Sequence, residues 1–515
     1  MSFLSRCNAT LFLSLENDNK KQNKDVFVKC GLGVLCSFFL VFLVGVPSVY
    51  GSKSEQSVWS VGLKSRIDYL IKRSGISRSH LSIWVSTESF ADQLQVYDLN
   101  SQSKRVPASL TKVITGAAAL RLYPENHKFV TRLMSPHPIK NGVLKGDLYL
   151  VGGGNPSFVS ENMWDLVNEL RRTGVKKIEG QVIVDDSLFD SVRFDPSRTQ
   201  QRVNRAYDAP VGAMSFNWNS VNVYIRPGSS KGKPASVYID PENEYYELVN
   251  NVTTSGGASA SVQLKRVPVG KNKERITVSG KIGLSSDEKV KYMSVLRPDY
   301  WSGFNLISFL KQRGIEVQEK VKLGKVPGKS RVLSDHESKP LSEVVKDMMK
   351  FSNNYVAEML TKNLSLMGAS KERGTMEGGM HRLQKFLTER GWKASDFALV
   401  NPSGLTRDNR FSAFAMASLL DDLRDEFKIY PEFLTSFPVS GVDGTLKKRL
   451  VGESTKGWMR AKTGMLTGVI GLAGFVKSKK RPLFTYVFIF NGKGSQTIRA
   501  RELSDEIAYS LINES

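Results

Sequence analysis

PASLTKVITGAAAL, residues 107–120, reads as the start of a buried helix, with Val113, Ile114, Ala117, Ala118 and Leu120 apolar. Ser109 and Lys112 stand three residues apart at that start, which on a helix places a hydroxyl and an amine on one face of the first turn. A serine hydroxyl is a weak nucleophile until a base takes its proton. Histidine is the usual base, but the five histidines (His80, His127, His137, His336, His381) form no H-E-x-x-H pattern, and no G-x-S-x-G elbow occurs. Lysine can serve if burial or a nearby cation brings its pKa toward neutrality. An apolar helix offers that burial, and the free N–H groups at its start suit a developing oxyanion. The plain alternative is a helix-start serine with a solvated lysine, and S-x-x-K alone does not decide between them.

Two further patterns do. KFSNNYVAEM, residues 350–359, puts Ser352 and Asn354 at a helix boundary, where the plain alternative is an N-cap. GWMRAKTG, residues 457–464, ends a strand on Lys462, Thr463 and Gly464, where the plain alternative is a charged edge strand with a turn glycine. S-x-x-K, S-x-N and K-T-G, in this order and in these contexts, form the signature of penicillin-recognising serine enzymes.

The coarse pattern is mixed. Strands are expected at 80–88 and 92–100, the Ser109 helix next, and a strand running into glycines at VLKGDLYLVGGGNPSF, residues 143–158. Residues 200–335 read as β-rich and loop-rich, and helical periodicity returns at 341–368. Three consecutive strands follow (GWMRAKTG, LTGVIGLAGFVKS, RPLFTYVFIFNG), then an amphipathic C-terminal helix. No internal repeat is evident. Strands and helices at both ends are expected to form one catalytic α/β (α+β) unit: 52–135 and 336–515, with 136–335 as an inserted domain or domains.

The whole chain narrows the setting. Its 515 residues are 40% hydrophobic and 24% charged, enough for large cores. A net charge of +23 suggests an acidic polymer or surface as neighbour. The basic residues are scattered without an aromatic-interleaved stripe, which argues against nucleic acid. KKQNKDVFVK, residues 20–29, followed by the apolar run 30–46 and small residues near Gly51, has the tripartite form of a secretory signal. Residues 1–51 are therefore expected to be a signal peptide or an N-terminal membrane anchor, the run being slightly short for a comfortable span. All three cysteines (Cys7, Cys30, Cys36) fall inside that segment, so a cleaved chain would hold no thiol. GKVPGKS, residues 324–330, is one residue short of a P-loop, and VDD at 184–186 reads as a turn.

The three motifs resemble those of the low-molecular-mass penicillin-binding proteins of the D-alanyl-D-alanine carboxypeptidase/endopeptidase class. The resemblance extends to VLKGDLYLVGGGNPSF, YDAPVGAMSFNWNSVNV, NPSGLTRDNRFSA and PVSGVDGTLKKRL. The separation of Ser109 from Ser352 far exceeds that of a compact β-lactamase, as in the members of the class with a large insertion. The implied fold is a serine β-lactamase-like catalytic domain, its antiparallel sheet flanked by helices, with β-rich insertion. The implied activity is serine hydrolysis of peptidoglycan stem peptides or cross-links through an acyl-enzyme, inhibited by β-lactams and using no cofactor or metal. A serine β-lactamase and an idle peptidoglycan-binding envelope protein are the alternatives. By position, Ser109 would be the nucleophile and Lys112 the base; Ser352 would relay a proton and Asn354 would hold the substrate chain. Lys462 and Thr463 would bind the terminal carboxylate, and Lys462 would lower the Lys112 pKa by repulsion. Gly464 would let the backbone approach, and the Ser109 and Met465 N–H groups would form the oxyanion hole. Arg407 stands either as a stem-peptide contact or a surface salt bridge, and Tyr207 either as an aromatic wall or a core tyrosine. QQRVNRAY, residues 200–207, lacks the acidic residue that some diaminopimelate-preferring relatives carry here. The expected location is the periplasm or extracytoplasmic envelope.

Overall fold

The computed structural model describes residues 53–88, 93–124, 126–198, 205–368, 373–480 and 483–513. The signal or anchor segment, the three cysteines, the turn at 89–91 and QQRVN (200–204) lie outside the described residues.

The sheet nearest the motifs joins the two ends of the chain. Its five strands run in the order Met459–Leu466, Val469–Lys477, Leu483–Asn491, Leu81–Glu88, Gln93–Leu99, all antiparallel. The meander expected from the C-terminal sequence is thus present. Side chains alternate across it with the strand period of two. Phe484, Tyr486, Phe488 and Phe490 enter one core with helices α1 (Lys53–Ser74) and, at the far end of the chain, α10 (Thr497–Asn513). Val487 and Ile489 enter the opposite core with α2 (Thr111–Leu122). Burial on both faces makes these strands nearly continuous apolar runs, and each buried large side chain contributes about 1.5–3 kcal/mol.

Between α2 and the end of the chain lie α3 (Ser160–Arg172), α4 (Pro298–Gln312), α5 (Leu341–Phe351), α6 (Asn354–Leu364), α7 (Met376–Thr388), α8 (Ala413–Arg424) and α9 (Tyr430–Ser436). The helical stretch expected at 341–368 is two helices, because Ser352 takes a left-handed conformation (φ 55°) that ends α5. Asn353 then caps α6 by accepting from Val356 N–H. The stretch read as β-rich and loop-rich contains α4. Ten of its residues are buried and the exposed ones, Lys311 and Gln312, fall in its last turn, so the amphipathic signal is weak.

The middle of the chain forms further sheets around a separate core. Val130–Ser135 pairs with Arg331–Glu337, so the chain leaves and returns through one antiparallel pair. These strands belong to a mixed five-stranded sheet with Leu148–Val151, Val182–Asp185 and Val321–Leu323. Two three-stranded sheets follow: Ser236–Asp240, Ser220–Arg226, Lys289–Ser294; and Tyr246–Ser255, Lys273–Gly283, Ala260–Val269. Residues Lys53–Ser515 make one compact unit. The fold class is the mixed α/β one expected.

Candidate active site

Ser109 lies in a short 3-10 turn, Ala108–Leu110, and α2 begins only at Thr111. The turn is tight: Ala108 has φ 50°, a conformation costly for a residue with a Cβ. It persists because two glycines press against it. A Cβ on Gly404 would lie 1.9 Å from the Ala108 carbonyl oxygen, and one on Gly464 would lie 2.7 Å from that of Pro107 and 3.3 Å from Ser109 N. The motif strand Met459–Leu466 therefore rests directly on the nucleophile turn, at the one residue type that allows it.

Lys112 is completely buried. Its Nζ lies 2.9 Å from Ser109 Oγ, 2.7 Å from Asn354 Oδ1 and 2.5 Å from the Ser403 carbonyl oxygen. Burial holds its pKa well below that of a free lysine, and the charges of Lys462 and Arg198 push it the same way. The expected repulsion by Lys462 is present, but desolvation is the larger cause. As a neutral amine, Lys112 has two N–H donors and one lone pair. Asn354 Oδ1 and the Ser403 carbonyl can only accept, so they take both donors and leave the lone pair for the Ser109 hydroxyl. This arrangement can accept a proton from Ser109.

Lys462 is likewise fully buried, and burial brings its pKa down to about 7. It donates to Ser352 Oγ at 2.8 Å and to the Thr463 carbonyl at 2.7 Å. The three motifs thus close a triangle: Lys112 to Asn354, Ser352 to Lys462, and Gly464 to Ser109. A charged lysine held by one hydroxyl and one backbone carbonyl has a third N–H left to bind an anion. Lys112 has Arg198 as an additional repulsive neighbour, which favours its neutral form further.

For the two weaker candidates the salt-bridge and core-tyrosine readings do not hold. Arg407 is exposed and forms no salt bridge among the described residues; it donates to the Thr467 carbonyl at 2.5 Å, holding the turn after the motif strand. Tyr207 is no core residue. Its ring is 45% exposed and faces Arg205, and its carbonyl accepts from Asn354 Nδ2 at 3.2 Å. Met465 points its side chain outward and is 66% exposed, so only its backbone could serve the cleft.

Several residues were missed from sequence. Ser403 acts through its carbonyl, which has no side-chain signature; Asn401 fixes the loop by accepting from the N–H groups of Ser403 and Gly404. Behind it, buried Glu358 pairs with Arg198, which also reaches Asp208 at 3.3 Å. Thr445 Oγ1 lies 2.8 Å from Thr463 Oγ1. Its loop is anchored by Asp443, which accepts from Lys350 Nζ at 2.7 Å and from Val439 N–H at 2.9 Å. The segments NPSGLTRDNRFSA and PVSGVDGTLKKRL, already noted for their resemblance, were the available signal.

The sequence model of the D-Ala-D-Ala carboxypeptidase 3 (S13) family matches residues 63–511. A D-alanyl-D-alanine carboxypeptidase of Actinomadura sp. (strain R39) is 30% identical over 464 residues, covering 87% of this chain and 84% of its own length. The D-alanyl-D-alanine carboxypeptidase DacB of Haemophilus influenzae is 27% identical over 409 residues, covering 79% and 84%. The crystal structure of penicillin binding protein 4 (DacB) from the same organism superposes with a TM-score of 0.72 at 25% identity, covering 86% of this chain and 97% of that one.

Proposed function

Because the chain belongs to the D-Ala-D-Ala carboxypeptidase 3 (S13) family and is a serine-type D-alanyl-D-alanine carboxypeptidase, we propose that Ser109 carries the reaction, with peptidoglycan stem peptides as substrate. The observation that supports this most is the fully buried Lys112 amine 2.9 Å from Ser109 Oγ, with both its N–H donors taken by obligate acceptors.

In this reading Ser109 Oγ attacks the carbonyl carbon of the penultimate D-alanine while its proton passes to Lys112 Nζ. The oxyanion meets the Ser109 and Met465 N–H groups, where Gly464 keeps the strand close. Lys462 and Thr463 hold the terminal carboxylate, and Asn354 aligns the peptide. Ser352 passes its proton to the leaving amine nitrogen and takes one from Lys462, to which it is bonded; the C–N bond breaks and D-alanine departs. Water then attacks the Ser109 ester carbonyl, its proton returning through Ser352 to Lys462, while Lys112 gives its proton back to Ser109 Oγ and the shortened stem peptide leaves as a carboxylic acid. β-Lactams would acylate the same oxygen, in keeping with a β-lactam complex of the Haemophilus influenzae protein.

The same proposal takes residues 136–335 as the inserted part, supported by the paired entry and exit strands and the separate core, and places the chain outside the cytoplasm through its first 51 residues. No described helix is long and apolar enough to cross a membrane. Digestion of purified muropeptides followed by mass spectrometry tests the reading. Loss of one terminal alanine, abolished by Ser109→Ala, is the expected result; intact pentapeptides would refute it.

A further inference from the structure

Residues 217–219 hold three consecutive non-glycine residues in left-handed backbone, with φ of 49°, 50° and 50°. Left-handed conformations are visited by single residues, and three in a row accumulate strain. Both flanks pin them. Buried Asn219 accepts from Phe216 N–H at 3.1 Å and donates to the Pro210 carbonyl at 2.8 Å. Asn217 accepts from Ser160 N–H at 3.0 Å and donates to Ser160 Oγ at 3.0 Å. Two asparagines tolerate this conformation; the tryptophan between them does not do so readily. What the turn achieves is to leave the Trp218 ring 46% exposed, with no hydrogen bond or ring contact to the described residues.

Trp218 lines a groove of about 510 Å³ together with Asn162, Asn217, Asn222 and Asp240. Beyond it runs the open face of the sheet formed by Ser220–Arg226 and its two neighbours. In that sheet Asn222 faces both Asp240 and Tyr292 across the strands, and Tyr224 stacks on Tyr238 at 4.8 Å. Tyr238 is 45% and Tyr292 62% exposed. Residues two apart on a strand share a face, so these rings and amides form one platform continuing from the tryptophan. The groove is backed by Val356 on α6, two residues beyond Asn354.

The free Trp218 face, with Asn162, Asn217, Asn222 and the carboxylates of Glu161, Asp240 and Asp347 around it, matches a pyranose chain. The C–H face of a sugar lies on the Trp218 ring, further sugars lie against the Tyr292 ring and the outer side of the Tyr224–Tyr238 stack, and hydroxyl and acetamido groups hydrogen-bond to Asn and Asp. A hydrophobic partner protein would leave Asn222 and Asp240 unpaired and desolvated. We propose that this groove and sheet face bind an N-acetylated hexosamine glycan, the polysaccharide backbone to which the stem peptides are attached. This rests on peptidoglycan being the substrate. A five-residue stem reaches at most about 17 Å when extended, so glycan held beside α6 keeps its peptide near the cleft. The strained turn is then retained for the ring it presents.

The test uses the full chain, a linear N-acetylglucosamine tetramer and peptide-free glycan strands, with Trp218→Ala and Trp218→Gly as variants. Wild-type protein should bind both probes by calorimetry, and each variant should weaken binding at least tenfold. Hydrolysis of a free pentapeptide ending in D-Ala-D-Ala should change less than twofold, while trimming of stem peptides on polymeric glycan slows. Trp218→Gly should also hold or raise Tm, since glycine accepts φ 50° without strain. Wild-type protein that binds neither probe, or variants that bind equally, would overturn the proposal, as would variants that change only the oligomeric state. Failure of the pentapeptide assay with glycan binding intact would instead refute the peptidase reading alone.

Discussion

The cleft and the aromatic groove both keep non-glycine residues in left-handed backbone, yet they differ in what surrounds the strain. In the cleft, Ala108 and Ser352 are enclosed by buried cations and by backbone approaching where glycines lack a Cβ. In the groove, Asn217, Trp218 and Asn219 are held by amide side chains, and the central ring faces solvent. Strain in the first place positions a reacting atom; in the second it displays a surface. A disturbance of the cleft should therefore cost both stability and rate, whereas a disturbance of the groove should spare both for small substrates.

The largest effect on the cleft should come from its buried ion pair. Glu358→Gln leaves Arg198 with less countercharge and should cost about 3 kcal/mol in urea unfolding. The same change should shift the acid limb of the acylation rate to lower pH, because an unbalanced cation beside Lys112 disfavours its ammonium. An unchanged limb would separate Arg198 from the base. Gly404→Ala comes next. Its Cβ would collide with the Ala108 carbonyl at a position of φ 78°, and a loss of about 2–3 kcal/mol with slowed acylation is expected. Retained acylation would show that the nucleophile turn tolerates movement.

The pH dependence sharpens the contrast between the two lysines. Acylation needs Lys112 neutral and Lys462 charged, so kcat/KM should be bell-shaped, each limb changing about tenfold per pH unit. The alkaline limb should fall near the pKa of about 7 that burial gives Lys462, before a bound carboxylate raises it. Stability follows from the same shift. Between about 7 and the 10.5 of an unperturbed lysine, the unfolded chain binds more protons at this position than the folded one. Lys462 therefore makes the protein more stable as pH rises through that window, and replacing it by methionine should flatten the slope. The smallest effect is expected at Thr445→Val, about 1 kcal/mol in kcat/KM, confined to substrates with a free terminal carboxylate and absent for their amides.

The sequence made the site legible wherever chemistry needs a particular side chain. Ser109, Lys112, Ser352, Asn354 and Lys462 could be named because hydroxyl, amine and amide are distinctive at those spacings. The closing sheet was legible because its turns are short and its strands apolar on both faces. Less could be read where function uses backbone or bulk. The Ser403 carbonyl belongs to a residue whose own hydroxyl is irrelevant to Lys112, and Glu358 looks like any polar residue in VAEM. The helix α4, buried over most of its length, hid in a stretch dominated by strands. The break at Ser352 depends on one left-handed residue, which periodicity does not register.

The central claim is that the Lys112 amine removes the Ser109 proton. Its most direct measurement is the rate at which penicillin labels the Ser109 peptide, followed by mass spectrometry in wild-type and Lys112→Ala protein across pH. Labelling should rise with pH through the acid limb in the wild type and fall about 10²–10⁴-fold, without that limb, in the variant. Equal labelling rates with the same pH dependence in both proteins would contradict it.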